Sequence, residues 1–415
     1  MRIALVARCS DPLGPHPGPG SAGEAARVTA LAQVLAGLDH RVTIYARRDS
    51  AALPDSAIAA PGVTVEHVTA GPPAPLDAAQ LTTHLPEFGR RLAQLWRRNP
   101  PDLVHAHFWT TGLAALAGAQ HLAVPVAQTF GSLAAAECRH GLALDLADDR
   151  IRLEAGIARR ADVILASSSE ELAEMTRLGM SRDRVRVVPC GVDPQRFSPV
   201  GPVAKRTRRR RLLAAQPPTA TRSLGIALCA LALVPDAELV VIGEPAADRE
   251  LTRMAGKLNV ADRLVFTGAV APDDLPPLLR SADLLVSAAP YEPVGMTAIA
   301  AMACGTPVVT TAAGAERDAV VDMTTGLYAT AGRPAQLAER IRLLLANPMR
   351  LEAFGIAAAD RARSRYSWER IGRETLAAYA CGARRPEAVT GVDEGSRPGR
   401  VEARDVRQIP AGAPA

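Results

Sequence analysis

Leu284-Leu285-Val286-Ser287-Ala288-Ala289-Pro290-Tyr291-Glu292-Pro293-Val294-Gly295-Met296-Thr297-Ala298-Ile299-Ala300-Ala301-Met302-Ala303-Cys304-Gly305-Thr306-Pro307-Val308-Val309-Thr310 reads as one strand–loop–helix–strand unit. Leu284–Val286 is a short apolar strand, and an apolar helix follows that ends near Met302–Pro307 before the strand Pro307–Thr310. Such a crossover joins parallel strands. In an open parallel sheet, ligands bind at the carboxyl ends of the strands, where helix N-termini present free N–H groups. Gly295 lets the backbone approach a ligand closely, and the N–H groups of Met296 and Thr297 open the helix toward it. Glu292 could accept hydrogen bonds from sugar hydroxyls, or simply complement the helix dipole. On chemistry alone both readings stand.

The same alternation runs outward in both directions. Upstream, strands are expected at Arg2–Ala7, Arg41–Tyr45, Leu103–Ala106, Val124–Gln128, Val163–Ala166 and Val185–Val188. Between them lie helical patterns at Glu24–Leu38, Ala78–Arg97, Ile151–Arg160 and Glu170–Leu178. The second half places strands at Leu212–Ala215, Glu238–Ile242, Arg263–Thr267, Leu284–Val286, Pro307–Thr310 and Gly326–Tyr328. Two doubly wound α/β halves with mostly parallel strands follow. Between them, Pro199–Arg211 carries Lys205-Arg206-Thr207-Arg208-Arg209-Arg210-Arg211. That run is either a patch for phosphate, nucleic acid or a membrane surface, or a solvated linker.

With 415 residues, 48% hydrophobic and 22% charged, the chain has ample apolar surface for buried cores. Lys205 and Lys257 are the only lysines among 48 Lys and Arg, which points to a biased genome rather than a chemical need. A net charge of +5 is too small to indicate a nucleic-acid binder. The six cysteines (Cys9, Cys138, Cys190, Cys229, Cys304, Cys381) form no C-x-x-C pair and are expected to be free thiols. No apolar run reaches the roughly 18 residues needed to cross a bilayer. Met1–Arg8 is too soon basic for a signal peptide. A soluble, unexported, cytoplasmic protein is expected.

The segment Glu292–Val309 resembles the signature of retaining GT-B glycosyltransferases of family 4, whose pattern is Glu-Pro-Phe-Gly with a second Glu eight residues after the first. Other stretches agree in order: Pro101–Trp109, Gln128-Thr129-Phe130, Val188–Asp193 with Phe197, Pro235–Gly243 and Arg280–Leu284. The resemblance covers residues 1–380 or so. It implies an α/β GT-B fold, two doubly wound, Rossmann-like parallel-sheet domains facing a cleft. The expected organisation is an acceptor-side domain at 1–198, a basic linker at 199–211 and a donor domain at 212–365. A C-terminal helix at 366–382 is expected to cross back, before a disordered tail at 383–415. The implied reaction moves a hexose from a nucleoside-diphosphate sugar to an acceptor (glycan, lipid or small molecule) with retained configuration. No metal or other cofactor is implied. Glu292 would hold the donor sugar, Arg222 the diphosphate, and Gly23, Gly295, Met296 and Thr297 the phosphate or sugar.

Several positions depart from the family pattern. Ala300 stands where the second Glu holds the ribose, a loss worth roughly 1.5–3 kcal/mol of donor binding. Pro217 replaces a phosphate-binding Arg, while Arg222 keeps the charge of a nearby Lys. Glu24 brings a carboxylate to the helix start after the first strand, and Gly131 replaces a His near the reacting sugar. Gly314-Ala315 replaces a Gly-Gly pair. These departures motivate a second reading, a GT-B chain without turnover that serves as partner or regulator of an active glycosyltransferase. A nucleotide-sugar epimerase on the same fold fits the Glu-Pro-x-Gly pattern less well. His105 and His107, two apart on a strand, face one side, but no third residue stands at metal spacing. His107 and Arg139 are assigned to the acceptor side of the cleft; Glu137, Arg139 and His140 could meet an acceptor phosphate or sit in a solvated loop. Gly18-Pro19-Gly20 lacks both a P-loop lysine and a dinucleotide fingerprint.

Overall fold

Arg2–Ala7 (β1) is an apolar run buried at every position after Arg2, as a central strand covered on both faces must be. In the computed structural model, residues 1–8, 22–142, 147–215, 221–243, 249–311 and 313–382 are described. The 383–415 tail, Pro217, Cys9 and the Gly18–Gly20 stretch lie outside them. From β1 the chain continues through α1 (Ala22–Gly37), β2 (Arg41–Arg47), β3 (Ser56–Ala60), β4 (Val63–Val68), α2 (Ala78–Arg98) and β5 (Leu103–His107). Then come α3 (Trp109–Ala119), β6 (Val126–Thr129), α4 (Ala134–Arg139), α5 (Ala147–Arg160), β7 (Val163–Ala166), α6 (Ser169–Arg177) and β8 (Val185–Val187). These strands form an eight-stranded sheet in the order β3-β4-β2-β1-β5-β6-β7-β8. The sheet is parallel except at its edge, where β3 pairs antiparallel with β4.

The second lobe runs β9 (Arg210–Ala215), α7 (Thr221–Ala232), β10 (Ala237–Ile242), α8 (Arg249–Lys257), β11 (Leu264–Phe266) and α9 (Leu275–Arg280). It continues with β12 (Leu284–Ser287), α10 (Met296–Ala303), β13 (Val308–Thr310), α11 (Ala315–Ala319), β14 (Gly326–Tyr328), α12 (Pro334–Leu345) and α13 (Pro348–Tyr366). Its six parallel strands are ordered β11-β10-β9-β12-β13-β14. Both lobes are thus doubly wound, and the fold is GT-B. α10 is apolar on all sides, as a helix buried within a layer must be; Ala298 to Ala303 are all buried.

The last helix, α14 (Trp368–Gly382), belongs to the second lobe by sequence but packs on α1 and β7 of the first. Its Tyr379 is buried with Leu35 and Val163. The chain crosses between lobes twice, near 190–192 and near 366–368. The crossings are tied together: Val192 donates to the carbonyl of Tyr366 at 2.7 Å, and Trp368 donates to that of Val192 at 3.1 Å.

The basic run is partly strand rather than linker. Arg210 and Arg211 begin β9, with Arg211 in register with Glu238. Arg211 is buried and pairs with Glu238 at 2.8 Å. Asp283 takes Arg206 at 2.6 Å and Arg210 at 3.0 Å, and Asp262 takes Arg209 at 2.9 Å. Internal ion pairs account for these four arginines. They also stand at the opposite end of β9 from Ala214 and Ala215, about 16 Å along the strand. No helix among the described residues is long and apolar enough to cross a membrane.

Candidate active site

The loop after β12 is built around two glycines. Gly295 adopts φ +70° and caps α10, a conformation that a side chain would strain. Gly314 adopts φ +67°, and a Cβ there would run into the carbonyl oxygen of Glu292. That close approach lets Ala315 donate to the Glu292 carbonyl at 2.7 Å, so the loop bearing Glu292 is fixed to the start of α11. Ala214, Ala215, Ser223, Ser287, Glu292 and Thr297 are among the residues around a cavity of ≈ 40 Å³ at the carboxyl ends of β9 and β12.

Two carboxylates share this cavity. Oε1 of Glu292 accepts from the N–H groups of Gly295 at 3.1 Å and Val294 at 3.3 Å, while Oε2 accepts from none of the described residues. The capping role and the ligand role are therefore compatible, one oxygen for each. Burial holds the Glu292 carboxyl above the usual carboxylate range against those two amides. Glu316, buried on α11, hydrogen-bonds the Thr310 hydroxyl. Burial first, and the field of Glu292 second, push it up to about 7. No lysine or arginine is among the described residues around the cavity.

The other lobe meets this edge directly. A Cβ at Gly23, in the first turn of α1, would lie 3.7 Å from the sulfur of Met296. Gly23, Glu292, Gly295, Met296 and Thr297 are thus brought to one place. Arg222, on the first turn of α7, is exposed and does not line the cavity, although its neighbour Ser223 does. Ala300 is buried in the core with Cys190 and Ile299 rather than on the cavity wall. Glu24 accepts from the Arg8 N–H at 3.1 Å and pairs with the Arg8 guanidinium at 3.3 Å, so its charge is answered within the same lobe.

Arg139 is held by Glu174 through two hydrogen bonds, one of 2.8 Å, which keeps it charged and commits it to α6. His140 stacks flat on Tyr291 with ring centroids 4.9 Å apart and hydrogen-bonds Glu170. Glu170 in turn accepts from the Gly314 N–H at 2.7 Å, across the lobe boundary. Ser169 donates twice to Asp318, also across it. Tyr291 is buried among side chains of the first lobe. These contacts hold the two lobes closed at the loop that carries Glu292.

His107 is fully buried at the end of β5, its ring tilted 38° against that of His105 with centroids 4.1 Å apart. His105 bonds Tyr379 at 2.8 Å and Thr129 at 2.9 Å, and burial pushes it down to about 3. Both ring nitrogens of His107 lack partners. Among the described residues no group of three His, Cys, Asp or Glu is placed to hold a metal ion. The cleft also holds three residues that the sequence reading did not single out. Arg27 lies one turn beyond Gly23 on the same face of α1, a spacing that would have exposed it. Phe108 lies beneath two guanidinium groups, Arg8 at 4.2 Å and Arg150 at 5.3 Å. Arg150 is further anchored to Glu154, Glu137 and Ser132. Phe108 falls in the Pro101–Trp109 stretch that agrees with the family pattern, whereas Arg150 carries no local motif.

Residues 22–196 match the Glycosyltransferase Family 4 model and residues 224–361 the Glycosyl transferases group 1 model. A D-inositol 3-phosphate glycosyltransferase of Streptomyces bingchenggensis is 31% identical, over 91% of this chain and 89% of the relative. D-inositol 3-phosphate glycosyltransferase 2 of Catenulispora acidiphila is 32% identical, over 91% and 94%. Among solved structures, sucrose-phosphate synthase from Thermosynechococcus elongatus superposes with a TM-score of 0.82 at 24% identity, covering 91% of this chain and 98% of that one. Anabaena HepE, solved with UDP and glucose, gives 0.71 at 18% identity, covering 92% and 99%. The chain belongs to the family-4, group 1 glycosyltransferases of the GT-B fold.

Proposed function

We propose that this glycosyltransferase moves a hexose from a nucleoside-diphosphate sugar to a hydroxyl of a small polar acceptor, with retention of configuration. The observation that carries the reading is Glu292, whose Oε2 accepts from no described residue, on a cavity that Thr297 of α10 also lines, with Gly23 of the other lobe packed beside Met296. Glu292 would bind the donor hexose. The Met296 and Thr297 N–H groups, with Arg222, would receive the diphosphate, since the Gly295 N–H is taken by Glu292. In the transfer, the bond from the anomeric carbon to the diphosphate oxygen breaks and the diphosphate leaves with the electron pair. The acceptor oxygen attacks from the same face, and its proton passes to the departing phosphate. Helix N–H donors and basic groups would meet the leaving-group charge without a metal, so a chelator is expected to leave turnover unchanged. The relatives' names suggest a phosphorylated cyclitol as the first acceptor to try.

The second reading, a chain without turnover that partners an active transferase, draws support from one observation. The cavity around Glu292 is lined by two carboxylates and no described cation. Turnover assays with UDP-, GDP- and ADP-hexoses separate the readings. Release of diphosphate with an acceptor supports the enzyme; saturable donor binding without any release supports the partner role.

A further inference from the structure

Among the described residues Arg27 makes no hydrogen bond or ion pair, and its Nε is buried without a partner. Its Nη2 lies 3.1 Å from where a Cβ at Gly131 would stand, so the guanidinium occupies room that any side chain at 131 would take. With His107, Thr129, Cys190 and Trp368 it lines a second cavity, of ≈ 30 Å³. That is room for about two water-sized groups, enough for two oxygens of a phosphoryl group. His107, beside it, is fully buried with both ring nitrogens unbonded. Burial keeps that ring neutral, so it offers one N–H donor. The buried Glu171 feels the field of Arg27 but makes no ion pair with it.

A partly buried guanidinium without a counter-charge is costly unless an anion arrives to satisfy it. The cavity also lies toward the site already described, since Cys190 on its wall packs in one apolar cluster with Ala298, Ile299 and Ala300 of α10. We propose that Arg27 and His107 form a subsite for one phosphoryl group of a substrate, placed in the cleft where Gly131 carries no side chain. The subsite rests on the transferase reading for its role but not for its existence. Two sources could supply the phosphoryl group, the donor diphosphate or an acceptor phosphate, and Arg27 would discriminate phosphorylated from unphosphorylated forms of one of them.

The test compares the full chain with Arg27→Met and Arg27→Lys by calorimetry in two arms, UDP against uridine and D-inositol 3-phosphate against inositol. In one arm, Arg27→Met should reduce the preference for the phosphorylated form at least tenfold, and Arg27→Lys should retain part of it. An unchanged preference in both arms overturns the subsite. Thermal unfolding without ligand gives an independent readout. Removing an unpaired buried charge should raise the Tm, whereas a structural arginine would lower it, and a lowered Tm overturns the proposal. Pyrophosphate alone should raise the wild-type Tm and leave that of Arg27→Met unchanged. That result with no sugar-nucleotide binding would keep the subsite and sink the transferase reading.

Discussion

Glu292 divides its work between two oxygens, one holding the Gly295 and Val294 amides and one left for a ligand. Glu292→Gln keeps an oxygen for the amides but loses the charge, so donor affinity or turnover should fall tenfold or more with little change in Tm. Glu316 makes a prediction of a different kind. Its folded-state pKa, about 7, lies above the ordinary 4.5 because burial disfavours the anion. The folded protein therefore binds this proton more tightly than the unfolded chain does. The associated stability is fully present below about pH 4.5 and is lost as pH rises through 7. Urea melts of wild type should weaken from pH 5 to pH 8. Glu316→Gln should flatten that decline by an amount on the order of 1–3 kcal/mol, and an equal decline in both would refute the assignment. The motif exposed Glu292 because its chemistry is local. Glu316 was invisible because its character arises from burial beside a residue 24 positions away in sequence; Arg27 is legible by its spacing from Gly23, but the room it fills depends on the missing side chain at Gly131.

At the scale of elements, the loop from β12 to α10 is held by a backbone contact that only glycine permits. Gly314→Ala would drive a methyl into the Glu292 carbonyl and strain φ +67°. We expect a loss of about 1–3 kcal/mol of stability together with weakened donor binding; a variant with native Tm and native affinity would show that the contact is dispensable. The sheet strands were legible because buried parallel strands are continuous apolar runs; β1, β7 and β14 keep the bounds that the sequence suggests. The β3–β4 hairpin was not among them. Its signal is short, two alternating runs around Pro61-Gly62, with Gly62 at φ +77°, and the exposed Ser56–Ala60 edge carries little apolar pattern. Arg210 and Arg211 were assigned to a linker because charge concealed a strand whose basic residues are answered by Asp283 and Glu238 on neighbouring segments.

Across the whole molecule, the two lobes meet at one loop. Tyr291 enters the first lobe, His140 covers it, and Glu170 and Ser169 bind Gly314 and Asp318. Replacing Glu170 and Asp318 together by alanine should loosen this closure. Small-angle scattering should then report a larger radius of gyration without ligand, and an unchanged radius would show that the crossings near 190–192 and 366–368 suffice. The ordered motifs predicted two facing lobes, but these interlobe contacts join residues up to 151 positions apart and leave no pattern in sequence. The central claim is that the closed cleft binds a nucleoside-diphosphate hexose through Glu292. Calorimetric titration of the wild type and Glu292→Gln with UDP-, GDP- and ADP-hexoses tests it most directly. Saturable binding of at least one donor, weakened tenfold or more by the substitution, is the predicted result; no binding of any donor at millimolar concentration would contradict it.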